Sequence, residues 1–312
     1  MRLALNGWFW GQQGTGSGQV LHGLVEWLPR VAPQDTRWLV LPTYAPAVDD
    51  VPGWQVVRVA TPFDRVQADL AKVWFEQISF PRLCRRLRVE VAHIPYWASP
   101  WWRPCRVVVT IHDLIPLLLP EYRGGWLARL YTALVSHTAR RAQVILTDSE
   151  ASRRDIIQHL GVSPQRVRTV YLAVGDDYMR PRTEEELARA RARYALPPRF
   201  LLYFAGFDVR KNASRILAAY ARLVRAGRHD NVPLVMAGRL PDRDTPFTPD
   251  PRRLARELGI AGWVHFPGWI AEEDKPALYA LAEATLFVPT YEGFGLPALE
   301  ALAAMERVTS NE

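Results

Sequence analysis

The chain has 312 residues, of which 49% are hydrophobic and 23% are charged. That length and composition predict a globular protein of two domains, each with a core of its own. No apolar run approaches the ~20 residues of a membrane-spanning helix, and the N-terminus turns polar too soon for a signal peptide, so we expect a cytoplasmic protein. The formal net charge of +7 predicts an anionic partner, but no nucleic-acid-binding module is recognisable and no nucleic acid is expected.

Strand-like apolar runs alternate with helix-length segments along the first half. The predicted strands are Arg2–Asn6, Trp38–Leu41, Val56–Val59, Val91–Ile94, Arg106–His112, Val144–Asp148 and Val167–Tyr171. The predicted helices include Gln19–Leu28, Trp126–Arg141 and Glu150–Leu160, the last with Ser149 as its N-cap. This alternation predicts an α/β fold whose mostly parallel sheet is covered on both faces.

After a polar stretch at 180–194 and a Pro-Pro pair, the alternation starts again. The predicted strands are Phe200–Ala205, Leu234–Ala237, Val264–Phe266, Thr285–Val288 and Arg307–Ser310, and the predicted helices are Ala213–Ala226, Pro251–Leu258, Glu272–Ala282 and Leu296–Ala304. Two successive doubly wound units, 1–178 and 179–312, are the simplest account, and a single large sheet is the alternative. Because the last predicted strand is not followed by a covering helix, we expect the second domain to be incomplete.

A glycine-rich loop, Gly14-Thr-Gly16-Ser-Gly18, follows the first strand and opens a helix. Glycines let the backbone approach a ligand closely, and a helix N-terminus offers N–H groups to an anion. The spacing differs from the dinucleotide-binding pattern and no acidic residue follows the second strand, which disfavours a nicotinamide dehydrogenase. From the residues alone, a flexible turn and a phosphate loop remain equally supported.

Polar residues also follow two other predicted strands. His112 and Asp113 end the strand Arg106–His112, at the sheet edge where ligands bind in open α/β folds, although a structural His–Asp hydrogen bond is the alternative. Arg210 and Lys211 follow the strand Phe200–Ala205 and precede a helix. Two cations at a helix N-terminus can neutralise a diphosphate, and a solvated basic turn is the alternative.

Two glutamates eight positions apart form the sharpest pattern. Glu292 lies in a glycine-containing turn, Gly293-Phe294-Gly295, and Glu300 lies about one turn into the helix that follows. Ionised carboxylates are hydrogen-bond acceptors and suit the vicinal hydroxyls of a sugar or ribose. We favour this reading over one in which Glu300 only complements the helix dipole.

Taken together, these motifs resemble the family 4 retaining glycosyltransferases, which have the GT-B fold. The resemblance is carried, in family order, by Gly14/Gly16/Gly18, Thr110-Ile-His-Asp-Leu114, Asp148-Ser-Glu150, Gly206-Phe-Asp-Val-Arg-Lys-Asn212 and the E-x7-E pair Glu292 and Glu300. It implies two Rossmann-like domains facing a cleft, with the acceptor in the N-terminal domain and the nucleotide-sugar donor in the C-terminal one. It also implies an enzyme that needs no prosthetic group or metal.

The resemblance further implies a role for each matching residue. Arg210 and Lys211 would hold the donor diphosphate, and Gly16, within its glycine loop, would approach it. The catalytic pair would be His112, which contacts the donor sugar, and Glu292, which lies beside the departing phosphate. Glu300 would bind the ribose hydroxyls, and Gly293, Phe294 and Gly295 would shape the donor site. The donor would be a GDP- or UDP-sugar, with GDP-mannose favoured by the Gly206–Asn212 variant, and the acceptor a glycan or a lipid-linked glycan of the cell envelope.

Two departures from the family pattern keep other hypotheses open. Phe207 occupies a position where the family commonly has arginine, and Met305-Glu-Arg-Val308 replaces the expected Gly-x-Pro turn. An inactive truncated remnant that at most binds nucleotide is therefore one alternative, and a GT-B sugar-nucleotide epimerase is another.

A cluster of arginines predicts one more contact. Arg82, Arg85, Arg86 and Arg88 lie near Trp74, Phe75, Phe80, Trp97, Trp101 and Trp102. Basic and aromatic side chains together are typical of a surface that docks on the inner face of an anionic membrane. A solvated helix face over buried aromatics is the alternative. The two cysteines, Cys84 and Cys105, have no metal-type spacing and are expected to be inert thiols.

Overall fold

The structure is a computed structural model that describes residues 1–12, 14–48 and 50–305. The chain divides into two compact units, Met1–Leu172 and Ala173–Glu312. Each unit has its own parallel sheet, so the prediction of two doubly wound α/β units is confirmed and a single large sheet is excluded. Within the described residues, no helix is both long and apolar enough to cross a bilayer.

The first unit is built on a seven-stranded parallel sheet in the order β3-β2-β1-β4-β5-β6-β7. Its strands are β1 (Arg2–Asn6), β2 (Thr36–Pro42), β3 (Gln55–Val59), β4 (Val91–Ile94), β5 (Arg106–Thr110), β6 (Val144–Thr147) and β7 (Val167–Thr169). Each matches a predicted strand. Strand β5 ends at Thr110, earlier than predicted, so His112 lies beyond the strand rather than in it.

Helices cover both faces of this sheet. They are α1 (Gly16–Val31), α2 (Ala68–Trp74), α3 (Phe80–Arg86), α4 (Ile115–Leu118), α5 (Trp126–Ala139) and α6 (Glu150–Leu160), with a π-helical turn, Phe75–Ser79, between α2 and α3. The predicted N-cap of α6 is confirmed, because the Ser149 side chain accepts a hydrogen bond from the Ser152 N–H at 3.0 Å. Cys84 and Cys105 are both free thiols.

Alternation of side chains along the strands creates two separate cores in the first unit. Ala4 packs with one cluster of buried residues, while its neighbours Leu3 and Leu5 pack with another. Successive residues of a strand point to opposite faces of a sheet, so a strand buried on both sides serves both cores. This explains the nearly continuous apolar runs in the sequence.

The second unit has a four-stranded parallel sheet in the order β10-β9-β8-β11. Its strands are β8 (Leu201–Phe204), β9 (Leu234–Ala237), β10 (Val264–Gly268) and β11 (Ala284–Thr285), and its helices are α7 (Asp176–Met179), α8 (Glu184–Arg193), α9 (Ala213–Arg225), α10 (Pro251–Glu257), α11 (Lys275–Leu281) and α12 (Leu296–Met305). Leu202 and Tyr203 on β8 again belong to different cores, one on each face.

Two predicted elements of the second unit differ from the structure. The strand predicted at Thr285–Val288 is only Ala284–Thr285, and the chain then leaves the sheet for the glutamate-bearing turn. The helix predicted at Glu272–Ala282 is a 3₁₀ turn, Glu272–Asp274, followed by α11. Pro276 explains that break, because proline lacks an N–H and is tolerated at the start of a helix. The strand predicted at Arg307–Ser310 lies outside the described residues.

The order of the strands marks one special position in each sheet. In the first unit β2 and β3 lie on one side of β1 while β4 lies on the other, and in the second unit β9 and β10 lie on one side of β8 while β11 lies on the other. At such a switch point the connections that follow two neighbouring strands run to opposite faces of the sheet. The crevice they leave at the carboxyl ends is where open α/β sheets bind ligands.

Candidate active site

The switch point of the second unit carries a compact cluster of charges. Arg210 and Lys211 follow β8, and both pair with the same carboxylate oxygen, Oε1 of Glu292, which follows β11. The Arg210 Nη1 to Glu292 Oε1 distance is 2.8 Å. Asp208 lies 3.8 Å from Arg210, so two cations and two carboxylates meet in one place. The structure therefore brings together three of the residues that the sequence predicted as a site.

Hydrogen bonds to backbone carbonyls join the two loops that bear this cluster. The Thr290 N–H donates to the Arg210 carbonyl at 2.9 Å, and Arg210 Nη1 donates to the Tyr291 carbonyl at 3.0 Å. The Asn212 amide donates to the Val288 carbonyl at 2.9 Å. Because β8 and β11 are adjacent parallel strands, their following loops start side by side, and these bonds keep them so.

The cluster stands at the N-terminus of helix α9. Asn212 adopts the left-handed conformation, with φ of 62°, and its side chain does not cap the helix because it donates to the other loop instead. The first N–H groups of a helix and its dipole favour an anion. Helix α9 therefore adds its own positive field to that of Arg210 and Lys211.

The turn after Glu292 has a glycine where the backbone requires one. Gly295 has φ of 97°, and a Cβ there would lie 3.3 Å from the ring of Phe287. Gly293 is buried and Phe294 is half-buried within the same turn. Helix α12 begins directly afterwards, with Pro297 in its first turn. The sequence-predicted turn is thus the start of the helix that carries Glu300.

Glu300 lies in a different environment from Glu292. Its side chain is 5% exposed, and the Tyr279 hydroxyl donates to its Oε2 at 2.9 Å. Burial raises the pKa of Glu300, although hydrogen bonds from Tyr279 and Tyr178 and the charge of Lys275 act in the opposite direction. Sequence reasoning missed these partners, because Tyr279 has the spacing of an ordinary core residue on α11.

His112 is held in the first unit by oxygen atoms on both ring nitrogens. Nδ1 lies 2.6 Å from Asp148 Oδ2, and Nε2 lies 3.2 Å from the Pro95 carbonyl. Burial lowers the pKa of His112, but the hydrogen bond and charge of Asp148 outweigh it, so the pKa is raised overall. Nearby, burial lowers the pKa of His93 to about 4, which leaves that ring neutral. Of the two rings, His112 therefore has the higher pKa.

The glycine-rich segment forms the first turn of α1 rather than a free loop. Thr15 is the N-cap, and its hydroxyl accepts from the Gly18 N–H at 3.1 Å. A Cβ at Gly18 would lie 2.0 Å from the Gln12 carbonyl oxygen, whereas a Cβ at Gly16 would meet nothing within 4 Å. Gly18 is thus required by packing, and the surface of Gly16 is open. Gly14 precedes the cap.

Comparisons with known proteins identify the family of this chain. The family profile described as Glycosyltransferase Family 4 matches residues 14–178, and the one described as Glycosyl transferases group 1 matches residues 185–307. The chain belongs to the family 4 glycosyltransferases. Among the described residues, no group of three or more His, Cys, Asp or Glu side chains is placed to hold a metal ion.

Individual relatives of this glycosyltransferase are known by sequence and by structure. It is 33% identical to the O-antigen chain mannosyltransferase B of Escherichia coli over 199 residues, which are 64% of this chain and 51% of the relative. The sucrose-phosphate synthase of Thermosynechococcus elongatus is similar in structure, with a TM-score of 0.71, 20% identity, and coverage of 97% of this chain and 79% of that one. An Anabaena protein solved with UDP and glucose has a TM-score of 0.65, 16% identity, and coverage of 97% and 78%.

These comparisons show the fold of the chain and how much of its relatives' length it spans. The two parallel sheets and the likeness to solved glycosyltransferases give this chain the GT-B fold. The chain spans 51% of the length of the first of its curated relatives and 25% of the length of the second.

Gly16 and Gly18, both in the first turn of α1, make a matched pair for a stability test. We expect Gly18→Ala to lower the free energy of unfolding by about 2 kcal/mol, because its Cβ would be forced against the Gln12 backbone. Gly16→Ala should change it by less than about 0.5 kcal/mol, since its Cβ would enter open space. Urea unfolding of both variants measures the difference. Equal effects would contradict the packing role given to Gly18.

The raised pKa of His112 can be measured directly. Its protonated form stabilises the fold below pH ~6.5, and this contribution is lost as the pH rises through the higher folded-state value. In an NMR titration of the His112 ring we expect a midpoint above ~6.5. Asp148→Asn should lower that midpoint, and Asp113→Asn should lower it less, because Asp113 contributes the smallest of the raising influences. A midpoint unchanged by Asp148→Asn would show that another group holds the proton.

Proposed function

We propose that this chain transfers mannose from GDP-mannose to a glycan or lipid-linked glycan acceptor, with retention of the anomeric configuration. The observation that carries the proposal is the cluster of Arg210, Lys211 and Glu292 at the switch point of the second unit and at the N-terminus of α9. Cations at this position suit a diphosphate, and a carboxylate beside them suits the hydroxyls of the attached sugar.

We infer that the donor diphosphate competes with Glu292 for the two cations of the cluster. Arg210 and Lys211 share one oxygen of Glu292, and Asp208 completes a set with no net charge. A nucleoside diphosphate brings about two or more negative charges, so we expect it to take over both cations from Glu292. The released Glu292 carboxylate would then be available to the donor sugar. Fixed cations and the helix field would stabilise the departing diphosphate, which is the main requirement of the transfer step.

Glu300 is proposed to bind the ribose of the donor. Its carboxylate is directed by the Tyr279 hydroxyl at 2.9 Å, and one oxygen can accept a further hydrogen bond from a ribose hydroxyl. His112, whose Nδ1 faces Asp148, is proposed to donate a hydrogen bond from Nε2 to the donor sugar in place of its contact with the Pro95 carbonyl. Gly16 is proposed as a point of close approach to the diphosphate, because its surface is open.

The relatives support mannose as the donor sugar more strongly than they support either nucleotide base. The Escherichia coli relative is named as a mannosyltransferase, and a Mycolicibacterium hassiacum relative with 32% identity is too. The Anabaena protein was solved with UDP. GDP as the base of this chain's donor therefore rests on the Gly206–Asn212 segment, and the choice between GDP and UDP is left to experiment. No metal or prosthetic group is proposed for the reaction.

Donor binding to the purified chain is the first test. We expect GDP or GDP-mannose at a hundredfold excess over its Kd to stabilise the protein by about 2.7 kcal/mol, seen as a rise of about 4–9 °C in the melting temperature. UDP should give a smaller rise. Lys211→Ala and Glu292→Ala should abolish mannose transfer, and Lys211→Ala should also remove most of the GDP-dependent shift.

Arg222→Ala is the matched control, because Arg222 is an exposed cation on the same helix, far from the cluster. It should leave the shift intact. No shift with any nucleotide would favour the alternative of an inactive remnant, and turnover of the donor without an acceptor would favour an epimerase. Full transfer activity in Lys211→Ala or Glu292→Ala would overturn the assignment of the site.

Peripheral contact with an anionic membrane is a further part of the proposal. The burial of some of the predicted aromatic residues reduces the set that could take part in this contact. Phe75 and Phe80 are fully buried, so they belong to the core rather than to a docking face. Trp101 and Trp102 are 56% and 41% exposed, and the guanidinium of Arg85 lies 5.9 Å from the Trp102 ring. Exposed arginines beside exposed indoles remain the supporting feature.

Vesicle co-sedimentation tests this contact. We expect the double variant Arg85→Glu, Arg86→Glu to bind less to vesicles of phosphatidylglycerol and phosphatidylethanolamine, with a loss of about 1 kcal/mol of binding free energy for each removed cation. Arg228→Glu, which changes an exposed arginine of the second unit, is the control. Equal sedimentation of wild type and double variant would remove the membrane from the proposal.

A further inference from the structure

The two cysteines of this chain take no part in the proposed donor site. Cys84 and Cys105 are the only cysteines in the sequence, and their spacing, which fits no metal site, predicts inert thiols. The structure places both of them in one core of the first unit, where Cys84 belongs to a cluster of buried residues and Cys105 packs against that cluster. A pair of neighbouring thiols has a redox chemistry that a single thiol lacks.

The end of helix α3 positions Cys84. The helix stops in a Schellman motif, in which Arg88 adopts the left-handed conformation with φ of 51°. The Arg88 N–H donates to the Arg85 carbonyl at 3.1 Å, as the motif requires. The Val89 N–H donates to the Cys84 carbonyl at 2.9 Å, and β4 begins two residues later, at Val91. The backbone therefore holds Cys84 close to the start of β4, where it is 1% exposed.

The pairing of β4 with β5 brings Cys105 to the same place. Cys105 immediately precedes β5, and the register of the two parallel strands sets Arg106 opposite Val91. The Arg106 N–H donates to the Glu90 carbonyl at 3.2 Å, so the segments that lead into the two strands also lie side by side. Cys84 and Cys105 thus approach the start of β4 from the helical layer and from the neighbouring strand.

Further contacts tie the segment between β4 and β5 to the helices around α3. Gln77, in the π-helical turn that precedes α3, donates through Nε2 to the Ser99 carbonyl at 3.1 Å. Its Oε1 accepts a hydrogen bond from the Trp101 N–H at 2.9 Å. The Arg85 guanidinium on α3 lies 5.9 Å from the centre of the Trp102 ring. This segment therefore runs along the helices before it reaches β5, and it brings the thiol that precedes β5 with it.

The two thiols interact directly, and their environments are unequal. They share a hydrogen bond, which is the largest influence on the pKa of each. That bond and burial together raise the pKa of Cys84. The same bond lowers the pKa of Cys105, in the same direction as a backbone hydrogen bond at Ala92 and against the effect of burial. Cys105 is also only half-buried, so it is the thiol that ionises more readily and that a dissolved reagent meets first.

We propose that Cys84 and Cys105 form a reversible oxidation site, which closes to an intramolecular disulfide when the protein meets a peroxide. The bond links the last turn of α3 to the residue that precedes β5. Cys105 is the thiol that reacts with the peroxide, and Cys84 is the thiol that resolves the product. The proposal goes beyond the proposed function, and no step of it depends on glycosyl transfer.

The oxidation has two steps. The Cys105 thiolate attacks one oxygen of hydrogen peroxide, so that an S–O bond forms while the O–O bond breaks, and the departing hydroxide takes up a proton to become water. The Cys84 sulfur then attacks the sulfur of the resulting sulfenic acid, so that the S–S bond forms while the S–O bond breaks. The second hydroxide leaves with the Cys84 proton as water. The two thiols together lose two electrons, and one peroxide is reduced to two waters.

The arrangement favours the disulfide over further oxidation. Because Cys84 already contacts Cys105, it captures the sulfenic acid before a second peroxide reaches that sulfur. The new bond closes a loop that contains β4, which lowers the conformational entropy of the unfolded chain. Oxidation therefore stabilises the first unit, and a dithiol reductant reverses the change through two thiol–disulfide exchanges.

Oxidation of the full chain by hydrogen peroxide tests the site. Titration of the denatured product should show that both thiols are lost, and peptide mass analysis should show the peptides of Cys84 and Cys105 joined. A non-reducing gel should show no covalent dimer. The melting temperature should rise by about 5 °C or more, because the bond closes a loop. Dithiothreitol should restore both thiols and the original melting temperature.

Single-cysteine variants separate the two roles. Cys84→Ala leaves Cys105 without a resolving partner, so we expect a sulfenic acid on Cys105 that dimedone traps. Cys105→Ser leaves only the buried Cys84, which should resist peroxide. Neither variant should gain melting temperature on oxidation. Melting curves of the reduced variants report whether the fold is kept, and Cys105→Ser, at the half-buried position, keeps the test open if Cys84→Ala does not fold.

Each contrary result overturns the inference. Met179 is 44% exposed and serves as an internal control, so retention of both thiols under conditions that convert Met179 to its sulfoxide would do so. A sulfinic or sulfonic acid on Cys105 without a joined peptide would show that Cys84 does not resolve the sulfenic acid. A covalent dimer through Cys105 would replace the internal bond by one between chains. A joined chain with an unchanged or lower melting temperature would contradict the stabilising role.

Discussion

The pairing of β8 with β11 is the constraint on which the proposed donor site depends. These strands are parallel neighbours although two strands (β9 and β10) and three helices (α9, α10 and α11) separate them in the chain. Their following loops therefore begin together at one edge of the sheet. The Thr290 to Arg210 backbone bond then holds the two loops at a fixed distance. Lys211 and Glu292 are 81 positions apart in the sequence, and the pairing of these strands is what brings them together.

The arrangement of strands also explains which site residues can be predicted from the sequence and which cannot. Strand ends are visible as apolar runs followed by polar residues, so the sequence predicts Arg210, Lys211, Glu292 and His112 as site candidates. The partners of Glu300 were not, because Tyr279 lies on α11 at core spacing and reaches Glu300 only through the packing of α11 against α12. Contacts between elements that are distant in sequence leave no local pattern.

Glycine positions show a similar division. The sequence identifies a cluster of three near the N-terminus but cannot tell which of them faces a ligand and which faces the chain. The structure separates Gly18, whose missing side chain makes room for the Gln12 carbonyl, from Gly16, whose surface is open. The distinction depends on a helix that begins earlier than its apolar pattern indicates, because the first turn of α1 is made of small residues.

The three lysines of the chain share one arrangement, since each pairs with a glutamate: Lys72 with Glu76, Lys211 with Glu292, and Lys275 with Glu272. In a chain with 39 basic residues, such scarcity turns amine chemistry into a site-specific reporter. A reagent that modifies only amines has three side chains and the N-terminus to choose from, and peptide mass analysis can resolve them one by one. Protection of Lys211 by a nucleotide would thus be counted separately from the labelling of Lys72 and Lys275 in a single sample, so occupancy of the proposed donor site can be followed without any assay of turnover.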